Sequence, residues 1–195
     1  MIVLASTSAS RRAMLNAAGV AHEALPAHVD EGAVKAGLGE VAPRDLADAL
    51  AEMKAIKISQ RVPGTLVLGG DSVVAIEDGT LLDKPVDRAD AERHLKLLSG
   101  KRHDLYSAAV IAENGRAVWR HVDRARMWVR PLSDPFIAEY LDAEWPAIAG
   151  CVGCYRVEGP GVQLFSRIEG SHYTILGMPL LNILDYLRTR GQLTS

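Results

Sequence analysis

The chain has 195 residues, 48% of them apolar and 24% charged, with a formal net charge of −2. That length fits one domain with an ordinary core, expected over 1–195. The near-neutral balance, without a basic stripe or a long apolar run, argues against nucleic-acid or membrane partners, so the positive charge that meets any anionic ligand must be local. The first residues hold neither a charged n-region nor an h-region, and the expectation is a cytoplasmic protein.

In chain order, the opening "MIVLASTSASRR" reads as a short buried strand, a tight loop and a helix start. The helix is expected from about Ser10 to Ala18, stopping at Gly19, a natural left-handed cap. A loop leading into a helix N-terminus presents free N–H groups and the positive end of the dipole. Ser6, Ser8, Arg11 and Arg12 would add hydroxyl donors and guanidinium forks, a phosphate-binding composition. A capped helix with a solvated basic first turn is the simpler alternative, although basic residues there oppose the dipole. Glu31, in "HVDEGAV", reads as a helix-start acid.

Residues 42–59 have helical spacing, with Leu46, Leu50, Met53 and Ile56/Lys57 on one face. Residues 64–85 read as a buried strand, a Gly-Gly break, a second strand, a turn at Asp78-Gly79 and a third extended piece. Asp87 begins a helix to about Leu98, with Asp90 placed as in a capping box. Asn114-Gly115 is a hairpin signal within 102–130. A helix over 134–143, a strand near 162–168 and a last helix from Pro179 to about Arg190 complete the pass. Helices alternating with strands, plus central hairpins, predict an α/β fold on a mixed sheet.

Asp71 sits between "LVLGG" and "SVVAI", where a sheet should be apolar. A buried carboxylate without a partner is costly, which points to a cation, a metal or catalysis; a turn aspartate would give the same spacing. Lys84-Pro85 ends an extended segment, with a solvated loop lysine as the alternative. His103 reads as a strand-edge residue, and His172 and Tyr173 as structural. Cys151 and Cys154 form a lone CVGC. The zinc reading lacks further ligands, and the thiol-redox reading lacks a helix start at the first cysteine, so the pair reads as structural. Neither GxxxxGK[ST] nor a GxGxxG opening a helix occurs, and "GGDSV" is not a nucleophile elbow.

Taken together, "LASTSASRR", "VDE" at 29–31, Lys54-Ala55, "GGDSVV", Lys84-Pro85, "LSGKRH", "EG" at 158–159 and "RIEGSHYTILGMPL" resemble the Maf family of nucleoside triphosphate pyrophosphatases. They occur in the family's order over nearly the whole chain. The resemblance implies a single elongated α/β domain around a strongly twisted mixed sheet, often dimeric, so a homodimer is expected. It implies hydrolysis of a nucleoside triphosphate to the monophosphate and pyrophosphate with Mg²⁺ or Mn²⁺, in nucleotide-pool sanitation. By position, Ser6, Ser8, Arg11, Arg12, Lys54 and Lys84 would hold the triphosphate, with Lys84 stabilising leaving-group charge. Asp71 would accept the proton, and Glu31 with Asp71 would hold the metal. Glu158 stands where pyrimidine-preferring members carry glutamine, and it resembles the 7-methyl-GTP branch.

The chain departs from the family at Ala9, where proline is usual, at Met53, where glutamate is usual, and across 150–157. Two alternatives are a non-catalytic nucleotide-binding regulator of cell division and an enzyme acting on dTTP or UTP.

Overall fold

The computed structural model describes residues 1–194. Its strands are β1 (Ile2–Leu4), β2 (His22–Ala24), β3 (Val67–Ile76), β4 (Leu81–Leu82), β5 (Arg102–Glu113), β6 (Arg116–Val129) and β7 (Phe165–Glu169). Its helices are α1 (Ala9–Ala17), α2 (Glu31–Leu38), α3 (Pro43–Ser59), α4 (Arg88–Leu98), α5 (Asp134–Glu144), α6 (His172–Leu176) and α7 (Leu180–Thr189), with a 3-10 turn at Pro160–Leu164. The seven strands form one sheet in the order β2-β1-β3-β5-β6-β7, with β4 on β3. β1 runs parallel to β2 and β3, whereas β3–β4 and β6–β7 are antiparallel. The α/β class and the mixed sheet expected from the sequence are therefore observed.

The chain's contacts group into two compact units: residues 1–72, 106–123 and 172–195, and residues 73–105 and 124–171. In the first unit, β1 is covered on both faces, which explains its unbroken apolar run. Ile2 and Leu4 join Leu15, Leu66, Leu68, Ile111 and Ile183 in one core cluster, while Val3 and Ala5 join Ala27, Ile58 and Val67 in another. The second unit contains α4 and α5, which pack on each other, together with β4, β7 and the 3-10 turn.

Local signals place the helix ends. Ser8 caps α1 by accepting from Arg11 N, and Gly19 follows at φ +68°. Asp87 caps α4 by accepting from Asp90 N at 2.7 Å, and Asp90 accepts in return from Val86 N, one residue earlier than a capping box requires. Asn114 and Gly115, at φ +51° and +76°, form the β5–β6 turn.

Four expectations are corrected. The Gly-Gly break is absent, because β3 runs unbroken through Gly69 and Gly70. Met53 is exposed, and the buried row of α3 is Leu46, Ala47, Leu50, Ala51, Ala55 and Ile58. Its alanines lie where α3 meets β3 backbone: a Cβ on Gly69 would stand 2.2 Å from the Ala51 carbonyl oxygen. His103 is fully buried rather than a strand-edge residue. The stretch "AGCVGCYRVEG" (149–159), whose sequence reads as loop and strand, forms turns and holds no strand.

Candidate functional site

In the first unit, β3 carries polar groups on both of its faces because successive strand side chains alternate. Gly69 and Asp71 face α3, whereas Gly70 and Ser72 face the Arg11 side chain of α1. Both glycines are required by close approach: at Gly70 a Cβ would sit 3.1 Å from Arg11 Nε, in addition to the α3 contact at Gly69. The Gly-Gly pair thus admits a helix on one side and a guanidinium on the other.

Asp71 is 7% exposed, and its Oδ1 lies 2.5 Å from Lys54 Nζ. The same ammonium lies 2.6 Å from Glu31 Oε1. Glu31 is the first residue of α2, whose N-cap Asp30 accepts from Ala33 N, so the helix-start position expected for Glu31 is observed. The structure thus brings Glu31, Lys54 and Asp71 together, with Lys54 engaged by two carboxylates.

The loop after β1 forms the other side of this site. Ser8 N donates to Ser6 Oγ at 3.1 Å, which folds the hydroxyl back over the start of α1. Arg11 donates from Nε to the Gly177 carbonyl at 2.8 Å, from NH1 to Ser6 Oγ at 3.4 Å and from NH2 to Ser72 Oγ at 3.0 Å. A guanidinium has five N–H donors, so two remain for an anion in a fixed orientation. Burial pushes the Arg11 pKa below its ordinary value, and the charges of Asp71 and Glu31 oppose that shift. Arg12 is exposed, and its side chain forms no ion pair or hydrogen bond among the described residues.

Sequence reading missed the support of Arg11. Ser72 shares a 2.9 Å hydrogen bond with Ser107, which donates to the Thr174 carbonyl at 2.8 Å. Thr174 Oγ1 in turn donates to Asp123 Oδ2 at 2.5 Å. A serine next to a buried aspartate in a strand was the available signal, since alternation sends the two to opposite faces.

Two carboxylate oxygens converging on one cationic atom also form a donor set that suits Mg²⁺ or Mn²⁺. Such ions are commonly held by one or two carboxylates, with water and phosphate oxygens completing the shell. No group of three or more His, Cys, Asp or Glu ligands occurs among the described residues. A divalent ion at Glu31 and Asp71 would therefore depend on a bound phosphate.

The second unit carries Lys84 and Glu158, both exposed. The two share a neighbourhood, since the Cys151 thiol feels the charges of both. Glu158 forms no ion pair among the described residues: Arg156 makes a bidentate pair with Glu144 at 2.9 and 3.1 Å, and Arg167 pairs with Glu169.

Mixed-sheet topology defines an α/β protein, here with a hydroxyl- and guanidinium-rich helix start beside a carboxylate pair. The chain belongs to the Maf-like protein family, whose family model matches residues 1–190. A nucleoside triphosphate pyrophosphatase of Sphingopyxis alaskensis is 50% identical over 192 residues, covering 97% of each chain. A 7-methyl-GTP pyrophosphatase of Mesorhizobium japonicum is 47% identical over 192 residues, covering 97% of this chain and 96% of its own. Among solved structures, a nucleoside-triphosphatase / dITP/XTP pyrophosphatase from Mycobacterium abscessus aligns with a TM-score of 0.45 at 14% identity, covering 97% of this chain and 94% of its own. Among the described residues no helix is long and apolar enough to cross a membrane.

Proposed function

We propose that this protein hydrolyses a nucleoside triphosphate between its α- and β-phosphates, releasing the monophosphate and pyrophosphate. The observation that carries the reading is Asp71, a buried strand carboxylate held by Lys54 beside the Ser6–Arg11 helix start. The names of relatives near 50% identity support it.

A triphosphate carries about four negative charges, and these repel an incoming water or hydroxide. Ser6, Ser8 and the two free donors of Arg11 bind phosphate oxygens at the positive end of α1, joined by exposed Arg12. Lys54 engages Oδ1 of Asp71, which leaves Oδ2 to take the proton of the attacking water. Glu31 and Asp71 would hold Mg²⁺ or Mn²⁺, which supplies charge neutralisation at the phosphates. In the second unit, Lys84 is assigned to charge developing on the leaving pyrophosphate.

Glu158 is assigned to the base. Guanine presents two adjacent donors, N1–H and the N2 amine, which match a carboxylate that only accepts. Uracil and thymine present an acceptor beside a donor, which an amide matches better. Methylation at N7 adds positive charge that a carboxylate favours. The unpaired state of Glu158 among the described residues supports this assignment, as does the name of the Mesorhizobium relative.

The decisive experiment incubates purified protein with a panel of triphosphates, including GTP, 7-methyl-GTP, dTTP and UTP, with Mn²⁺ or Mg²⁺, and identifies the products. Monophosphate plus pyrophosphate, abolished by EDTA and restored by the metal, is expected. Diphosphate plus orthophosphate as primary products would overturn the assignment.

A further inference from the structure

The CVGC pair is part of a more elaborate arrangement than its sequence suggests. Cys154 N donates to the Cys151 carbonyl at 3.0 Å, so residues 151–154 form a β-turn with the two cysteines at its ends. A hydrogen-bonded turn holds its end Cα atoms within about 7 Å, close to the usual disulfide span. Neighbouring rings hold this turn in place. Gly153 lies so close to the Tyr155 ring that a Cβ would stand 2.2 Å from it, and Tyr140 donates its hydroxyl to the Cys154 carbonyl at 3.1 Å. Both cysteines are free thiols, Cys151 partly exposed and Cys154 buried.

Cys154 also has a base. Its Sγ lies 3.5 Å from His94 Nδ1, and His94 Nε2 lies 3.4 Å from Asp90 Oδ1. Asp90 accepts from Val86 N and from Arg93, and the Val86 N–H foremost holds its carboxyl below the usual range. An ionised Asp90 favours the tautomer with hydrogen on Nε2, leaving Nδ1 as an acceptor facing the thiol. α4 places Asp90 and His94 on one face, four residues apart. No step of triphosphate hydrolysis uses any of these four side chains.

We propose that Cys151 and Cys154 form a dithiol redox couple, oxidised by small disulfides of the glutathione type, with His94 as the base that activates Cys154. Cys151 is partly exposed, yet burial foremost raises its pKa, so it attacks one sulfur of the small disulfide through a minor thiolate form. A mixed disulfide results, and the expelled small thiolate takes up the proton that Cys151 lost. Cys154 then gives its proton to His94 Nδ1 and attacks the Cys151 sulfur. The Cys151–small-thiol bond breaks, and the second small thiolate leaves with the proton from His94. Two protein thiols are oxidised to one disulfide, and one small disulfide is reduced to two thiols.

Burial makes the second step the informative one. It pushes the Cys154 thiol up to about 12, so at neutral pH this sulfur is almost wholly protonated. A thiol in that state attacks only if its proton leaves during the step, and His94 is the group placed to take it.

The test uses the full chain, reduced and then exposed to glutathione disulfide at pH 7, with peptides mapped by mass spectrometry after alkylation of free thiols. The expected product is an intramolecular Cys151–Cys154 disulfide, about 2 Da lighter than the dithiol, with the mixed disulfide only transient. Cys154→Ser should stop at a stable mixed disulfide on Cys151. His94→Gln should slow conversion of the mixed disulfide by about tenfold or more at pH 7, the gap narrowing as pH rises toward the thiol pKa. Two free thiols persisting in excess glutathione disulfide would overturn the couple. An unslowed His94→Gln conversion would overturn the role of His94.

Discussion

At the scale of single residues, Asp71 and Glu158 separate chemistry from selectivity. Asp71→Asn is nearly isosteric and keeps an oxygen for Lys54, so the fold should persist while the proton acceptor is lost. Removing a general base costs about 10²–10⁴ in rate, and that loss is expected in kcat with little change in Tm. Activity within threefold of wild type would remove Asp71 from the reaction. Glu158 is exposed and forms no ion pair among the described residues, so Glu158→Gln should leave stability unchanged. It should instead narrow or reverse a preference for guanine-type triphosphates over dTTP and UTP, read as a ratio of kcat/KM values. Mismatched buried polar contacts discriminate by up to about 10⁴, and an exposed carboxylate should show much less. A variant with the same base ratio as wild type would sink the assignment and leave the hydrolysis reading intact.

At the scale of elements, the α3–β3 contact links stability to the site. Gly69→Ala places a Cβ 2.2 Å from the Ala51 carbonyl oxygen and 2.7 Å from Ala55 N, backbone atoms that cannot rotate away. The helix must lift from the strand, and overpacking of this kind costs about 1–3 kcal/mol, sometimes more. Lys54 lies beside Ala55 on the displaced helix, so its 2.5 Å bond to Asp71 should be broken as well. Lower Tm together with lost activity is therefore expected, whereas Gly79→Ala offers a contrast. Gly79 has open space around its Cβ position, and its φ of +90° predicts a cost confined to stability. Full activity in the folded Gly69→Ala protein would show that helix position and Asp71 chemistry are independent. The same contact marks what sequence could reach. The helix start at Asp87, the stop at Gly19 and the Asn114-Gly115 turn were legible because their causes lie within a few residues. Gly69-Gly70 was misread as a break because its cause, a helix on one face and Arg11 on the other, is set by distant chain. Periodicity placed Met53 inward for the same reason: Ala51 and Ala55 lie closer to β3 than a larger side chain could.

At the scale of the whole molecule, the site was legible as a set of residue types and not as a network. Ser6, Arg11, Lys54 and Asp71 could be named as candidates from the sequence, yet the bond from Arg11 to Gly177, 166 residues away, has no local signature. Global stability carries one such long-range feature in His103, taken for a strand-edge residue and found fully buried. Its Nε2 lies 2.8 Å from the Tyr155 hydroxyl, which donates to Met127 Sδ at 3.2 Å. That order makes the tyrosine oxygen the acceptor and puts the proton on Nε2. Nδ1 is left without a partner, bearing a lone pair rather than an unmet N–H. Burial lowers the His103 pKa from 6.5 to about 4. The unfolded imidazole therefore binds its proton near pH 6.5, while the native one stays neutral until pH falls to about 4. Stability is fully present above the higher value and declines through that window as the unfolded state takes up the proton first. The complete shift corresponds to about 3 kcal/mol, of which roughly 2 kcal/mol should be lost between pH 6.5 and 5. Asp78 and Asp90, with pKa values below the ordinary 3.8, weaken the fold only in more acidic solution, so the histidine window stands apart. Urea midpoints measured from pH 7.5 to 5 should fall for the wild type. His103→Gln, which keeps a donor for Tyr155 and cannot titrate, should be less stable at pH 7.5 but show a flatter slope. Equal slopes for the two proteins would place the acid sensitivity elsewhere.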